Sequence, residues 1–204
     1  IGGRRRISIE VEITARLAEL YRDDLAAHAL VLSEHAHRAG WPSPGGVPDR
    51  VVRSAAEKAV AVGAWGLAGA CYERALATSG PDTPLGERAV IELRAGQAFR
   101  RNFDYATAYP HLRSAAELAE RAGDCETWGE ALSWLTGAEV LERVSDVAID
   151  EAMVGRFIAA AGESHADARA LVLANVAQHY FSRFDIAAAV PHIEQARVAA
   201  ERAG

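Results

Sequence analysis

Residues 103–123 read F103-D-Y-A-T-A-Y-P-H-L-R-S-A-A-E-L-A-E-R-A-G123, and 81 residues later the chain reads F184-D-I-A-A-A-V-P-H-I-E-Q-A-R-V-A-A-E-R-A-G204. The two stretches agree at 12 of 21 positions. Each starts with an aspartate, Asp104 or Asp185, whose carboxylate can accept the free amide hydrogens of a first helical turn. Each ends on glycine, the residue suited to the left-handed conformation just past a helix. The stretch is therefore a helix with both ends specified. Ala108, Ala115, Ala189 and Ala196 are small enough to let a second helix approach closely. Leu112 and Ile193 are expected to fill the space between repeats. Pro110 and Pro191 remove a backbone donor and should kink or loosen the helix start. His111 and His192 follow, and are read as structural, with a hydrogen bond near the kink.

Glycines that close helical stretches stand at Gly40, Gly80, Gly123, Gly162 and Gly204, at intervals of 40, 43, 39 and 42 residues. Ala, Leu, Glu and Arg dominate between them, and Val and Ile fall at three- and four-residue spacing, a helical pattern. A recurrence of about 40 residues with a helix pair in each unit predicts an all-α fold, an α-solenoid in which each unit stacks on its neighbours. The separation of 81 between the two copies is two periods. The expected pairs are 7–21 with 24–39, 48–62 with 65–79, 84–101 with 104–122, 125–143 with 146–161, and 164–182 with 185–203. They form a single domain over 1–204, with units 1–40, 41–80, 81–123, 124–162 and 163–204. Asp23-Asp24 supply the first break, Pro48 suits a first turn, and Ser145 is the candidate cap in the fourth pair.

Half of the chain is apolar, a quarter is charged, and the net charge is -6. That composition fits a soluble globular protein and argues against a general grip on nucleic-acid phosphates. Cys71 and Cys125 make neither a disulfide framework nor a metal set, which points to a reduced, cytoplasmic setting. Cys71 reads as a small buried apolar residue. No apolar run is long enough for a membrane span. The chain starts on Ile1, which predicts a piece of a longer protein.

Chemistry is sparse. His28, Glu34, His35 and His37 are the densest group of metal-ligand types. His28 and His35 share a helical face but stand about 10 Å apart along the axis, too far for one ion. Carboxylate pairs such as Asp23/Asp24 and Glu117/Glu120 sit at caps and on solvated faces. No phosphate loop, G-x-S-x-G or H-E-x-x-H occurs, so no cofactor, metal or catalytic group is expected. Trp134 is expected in the core and Trp128 partly exposed.

The stretch G63-A-W65-x-x-A68-x-x-x-Y72-x-x-A75-L76 resembles the second half of a tetratricopeptide repeat. Phe103 and Phe184 stand where that repeat has its turn glycine, so the match is to a degenerate form. R4-R-R-I-S-I-E-V-E-I-T-A-R-L-A-E-L-Y21 and H28-A-x-x-L-x-x-H35-x-x-x-A39-G40 resemble the start of the helical-repeat region of large bacterial ATP-binding LuxR-type transcription regulators and related ATPase-cyclase signalling proteins. The resemblance implies a tetratricopeptide-like, right-handed superhelix of about ten helices in five antiparallel pairs. It also implies flanking ATPase and output domains in the parent chain, and a non-catalytic module that binds a protein or peptide or senses a small effector. It carries over no ATP site and no DNA-reading helix. In such arrays the first helix of each pair lines the concave face. Mapping by the repeat places Arg50, Arg53 and Glu57 there, with Gln97, Arg100 and Arg101, and with Gln178 and Phe181. Two alternatives are a receptor for a peptide or small-molecule signal, and an enzyme built on the helical array.

Overall fold

The computed structural model describes residues 2–24, 28–38, 49–79, 83–137 and 149–203. The protein is all-α, and the described residues contain no strand. The helices are α1 (Gly2–Leu20), α2 (Ala29–Arg38), α3 (Asp49–Ala61), α4 (Trp65–Thr78), α5 (Leu85–Arg101), α6 (Tyr105–Ala122), α7 (Cys125–Thr136), α8 (Glu151–Ala161), α9 (Ala166–Ser182) and α10 (Ile186–Ala203), with a 3-10 turn over Arg22–Asp24. None of the described helices is long and apolar enough to cross a membrane. The chain divides into two compact units, Ile1–Thr83 and Pro84–Gly204.

In the first unit α1 packs on α2, α2 on α3, and α3 on α4. In the α3–α4 pair Ala55, Ala56 and Ala59 of one helix and Ala68, Cys71 and Ala75 of the other are all 0% exposed. Such side chains let two helix backbones approach closely while excluding water. Cys71 is therefore the small core residue its spacing predicts. Between α1 and α2, Glu10 pairs with His35 Nδ1 at 2.8 Å, and the ring of His28 stacks on Tyr21.

In the second unit α5 and α6 run antiparallel. Gly86 lies near Ala122, Glu92 near Ser114, and Gly96 near Leu112, so numbers rise on one helix as they fall on the other. At Gly96 the approach is closest: a Cβ there would stand 2.6 Å from Leu112 Cγ. Leu112 is fully buried, in a core with Leu93, Ala115 and Ala119 and with Trp128, Leu132 and Leu135 of α7. Trp128 meets Phe157 of α8 edge-on, at 5.4 Å between centroids. The two tryptophans thus exchange their expected places: Trp128 is buried and Trp134 half-buried. Arg156 of α8 reaches Glu120 of α6 through two hydrogen bonds, at 2.6 and 3.1 Å.

The helix ends explain the repeated stretch. The Phe103 N–H donates to Arg100 and the Asp104 N–H to Phe99, closing the end of α5. The Asp104 carboxylate then accepts from Thr107 N–H and starts α6. Asp185 repeats this, with its N–H on Tyr180 and its carboxylate on Ala188 N–H. The closure requires a left-handed residue, and Phe103 and Phe184 supply it at φ 62° and 61°. Gly63, in the corresponding turn of the second pair, has φ 73°. The two phenylalanines therefore take the same positive-φ turn position as Gly63, the place the repeat resemblance gives them. Gly123 is left-handed, as expected, whereas Gly162 pairs φ 56° with ψ -157°, a conformation outside the left-handed helical region.

Two local expectations change. α7 ends at Thr136 with Gly137 extended, short of residue 143, and α8 begins at Glu151 behind Asp150, whose carboxylate accepts from Met153 N–H. Ser145 lies outside the described residues, as do Pro48, Gly40 and Gly80. α6 and α10 run unbroken through Pro110 and Pro191. Ile193 is 51% exposed where its counterpart Leu112 is buried.

Candidate functional site

In the second unit α7 packs on both α5 and α9. Polar groups join them. Gln97 Nε2 donates to Glu130 at 2.6 Å, and Gln97 Oε1 accepts from Arg94 at 2.9 Å. One turn on, the Arg100 guanidinium lies over the Trp134 ring, 4.7 Å from its centroid, and that of Arg101 stands 5.7 Å away. On the other side of α7, Asn175 donates to the Ser133 carbonyl at 2.9 Å. Burial strengthens such bonds and makes leaving any of them unpaired costly.

The residues predicted for an open face therefore divide. Gln97 is buried at 8% exposure by the α5–α7 contact, and Arg100 is half-buried against Trp134. Both hold helices together, because the neighbouring helix covers their side of α5. Arg101, Gln178 and Phe181 are exposed. On α3, Arg53 is half-buried and Glu57 exposed, while the side chain of Arg50 lies outside the described residues. Gln97 and Gln178 are equivalent in the repeat but not in environment. Sequence reasoning missed their partners: Glu130, Trp134 and Asn175 are one helix away in space but more than thirty residues away in the chain from Gln97, Arg100 and Ser133.

Between α7 and α9 opens a groove of about 560 Å³ lined by Glu126, Glu130, Ser133, His165, Asp167 and Leu171. Its three carboxylates make it a negatively charged trough. A second, apolar groove of about 310 Å³ lies between α9 and α10, lined by Ala174, Ala177, Gln178, Phe181, Ile193 and Ala196. No three His, Cys, Asp or Glu side chains among the described residues stand where they could hold a metal ion.

The paired histidines differ in their surroundings. His111 Nδ1 lies 2.6 Å from Glu92, which also accepts from Ser114 Oγ at 3.1 Å, and the imidazole stacks on Phe99. His192 stacks on Tyr180, the counterpart of Phe99, but its Nδ1 is buried without a hydrogen-bond partner. Leu173 stands where Glu92 would be, which removes the acceptor.

No protein-family model matches the chain, and no curated protein sequence matches it. Among solved structures the chain is similar to the crystal structure of BtubC (BKLC) from P. vanneervenii, with a TM-score of 0.58 and 18% identity. That alignment covers 98% of this chain and 92% of the other. At that identity the likeness concerns the fold alone.

Proposed function

We propose that this chain is a non-catalytic interaction module, a tetratricopeptide-like right-handed solenoid that binds a protein or peptide on the face of its first helices. The observation that carries the reading is the layering of residues 84–204. There α5, α7 and α9 adjoin through Gln97–Glu130 and Asn175–Ser133, and leave a charged groove open beside them. Repeat arrays bind through such extended surfaces rather than through a local motif. In a bacterial signalling ATPase of the LuxR-regulator or ATPase-cyclase kind, the module would sense a partner or effector and alter the disposition of the flanking domains. A cytoplasmic location accords with that reading.

Affinity capture with the chain and with its Arg101→Glu variant tests the site. Arg101 is exposed, so the variant should keep the helical circular-dichroism spectrum. A partner retained by the parent chain and lost by the variant is the expected result. Equal capture by both removes the first-helix face from consideration. A P-loop ATPase module encoded in the same reading frame would support the regulator placement, and its absence would reject it.

A further inference from the structure

The two copies of the repeated stretch differ most in what covers them. α7 lies in the furrow between α5 and α6 and packs on both. The floor of that furrow includes Leu93, Gly96, Leu112 and Ala115, all buried, with Gln97 and Arg100 at its edge bound to Glu130 and Trp134 of α7. Adding the repeat separation of 81 to these six positions gives Ala174, Ala177, Ile193, Ala196, Gln178 and Phe181. Those are the six residues that line the apolar groove between α9 and α10. Here the furrow is open: Ile193 is 51% exposed and Phe181 61%, and Gln178 is exposed. The exposed row continues along α10 through Ile186 and Val190, at 49% and 55%, whose counterparts are the buried Tyr105 and the half-buried Tyr109.

The geometry points to a docking site for one amphipathic helix of a partner polypeptide, seated between α9 and α10 as α7 sits between α5 and α6. The chemistry of that helix follows from α7. Leu132, Leu135, Ala131 and Trp128 of α7 are buried in the same core as Leu93, Leu112 and Ala115. Glu130 on the flank accepts from Gln97, so a carboxylate at that register would accept from Gln178. Trp134, one turn on, meets the Arg100 position, where Phe181 now offers an aromatic ring. The partner is thus a helix with a leucine and aromatic stripe flanked by a carboxylate, the helix-in-groove mode of recognition. This deepens the interaction-module reading and rests on it.

The probe is a helix-locked synthetic peptide with the sequence of residues 124–137, Cys125 replaced by serine, titrated into the full chain by calorimetry. Saturable one-to-one binding is expected, weakened at least tenfold by Ile193→Glu and several-fold by Gln178→Ala. Arg101→Glu should leave peptide affinity unchanged, which separates this groove from the first-helix face. Because Ile193 is half-exposed, its charged variant should retain the parent's unfolding transition, checked on the same sample. Absence of saturable binding, or binding indifferent to Ile193→Glu, overturns the proposal. So does concentration-dependent dimerisation in sedimentation that Ile193→Glu abolishes, because a second copy would then be the occupant.

Discussion

Replacing Phe103 by glycine should stabilise the protein. Phe103 holds φ 62°, and its side chain is 79% exposed. For a residue with a Cβ the left-handed region costs about 1–2 kcal/mol, and glycine escapes that cost. Glycine also gives the unfolded chain more freedom, which takes back about 0.4–1 kcal/mol. The hydrogen bonds of Phe103 N–H to Arg100 and of Asp104 N–H to Phe99 involve only backbone and survive. Little burial is lost, because the ring is already in water. The net gain is about 0.5–1 kcal/mol, a rise in Tm of about 2–5 °C for a unit of this size. Differential scanning calorimetry at fixed pH reads it directly. Phe103→Ala is the decisive control, because alanine removes the ring but keeps the strained Cβ. If alanine stabilises as much as glycine, the gain comes from deleting an exposed aromatic and the strain argument fails. If Phe103→Gly lowers Tm, the ring makes contacts worth more than the strain. Phe184→Gly, at φ 61°, should behave alike, and the two gains should add.

Glu92→Leu imitates position 173, deprives His111 and Ser114 of their shared acceptor, and should destabilise by about 1–3 kcal/mol. A double-mutant cycle with His111→Leu in urea should give a coupling energy above about 1 kcal/mol, and a value near zero would refute the pairing. Gly96→Ala should also destabilise, because overpacking against Leu112 at 2.6 Å costs about 1–3 kcal/mol and outweighs a helix-propensity gain of about 1 kcal/mol. Its counterpart Ala177→Gly relieves no such clash and should simply lose propensity, as denaturant midpoints will show. Arg197 bridges Glu194 and Glu201, and its hydrogen bond holds the Glu194 carboxyl below its ordinary value. Glu194 therefore adds stability above the ordinary carboxylate range, and loses it as pH falls through its depressed value. Arg197→Gln should return the Glu194 titration, followed by NMR, to the usual range.

The helix ends were legible because they are written locally. Asp104, Asp124 and Asp185 each precede a helix by one residue, and Gly123 follows one. Phe103 and Phe184 could be placed in the turn from the repeat spacing alone, although phenylalanine is a poor turn residue. In the fourth pair Ser145, the cap expected from the spacing, lies outside the described residues; α8 is capped by Asp150, followed at once by Glu151, and acidic residues favour a first turn. Gly137 was the available signal for the end of α7. The candidate face was legible only by analogy. Whether Gln97 faces water or Glu130 depends on which helix lies beside α5, and no local rule states that. The same limit explains Leu112 and Ile193: one position in the repeat, buried in one copy and half-exposed in the other.

Asp104 both closes α5 with its N–H and opens α6 with its carboxylate, and Asp124 does the same between α6 and α7. A single residue thus belongs to two helices at once. Fraying of either end disturbs the hydrogen bonds of the other, so the opening of neighbouring helix ends should be coupled. In amide exchange, the last turn of α5 and the first turn of α6 should share one opening free energy, as should the corresponding turns of α6 and α7. The unit of local unfolding is then the run of three helices, and motions that matter for binding would be movements of such runs rather than the melting of separate helices.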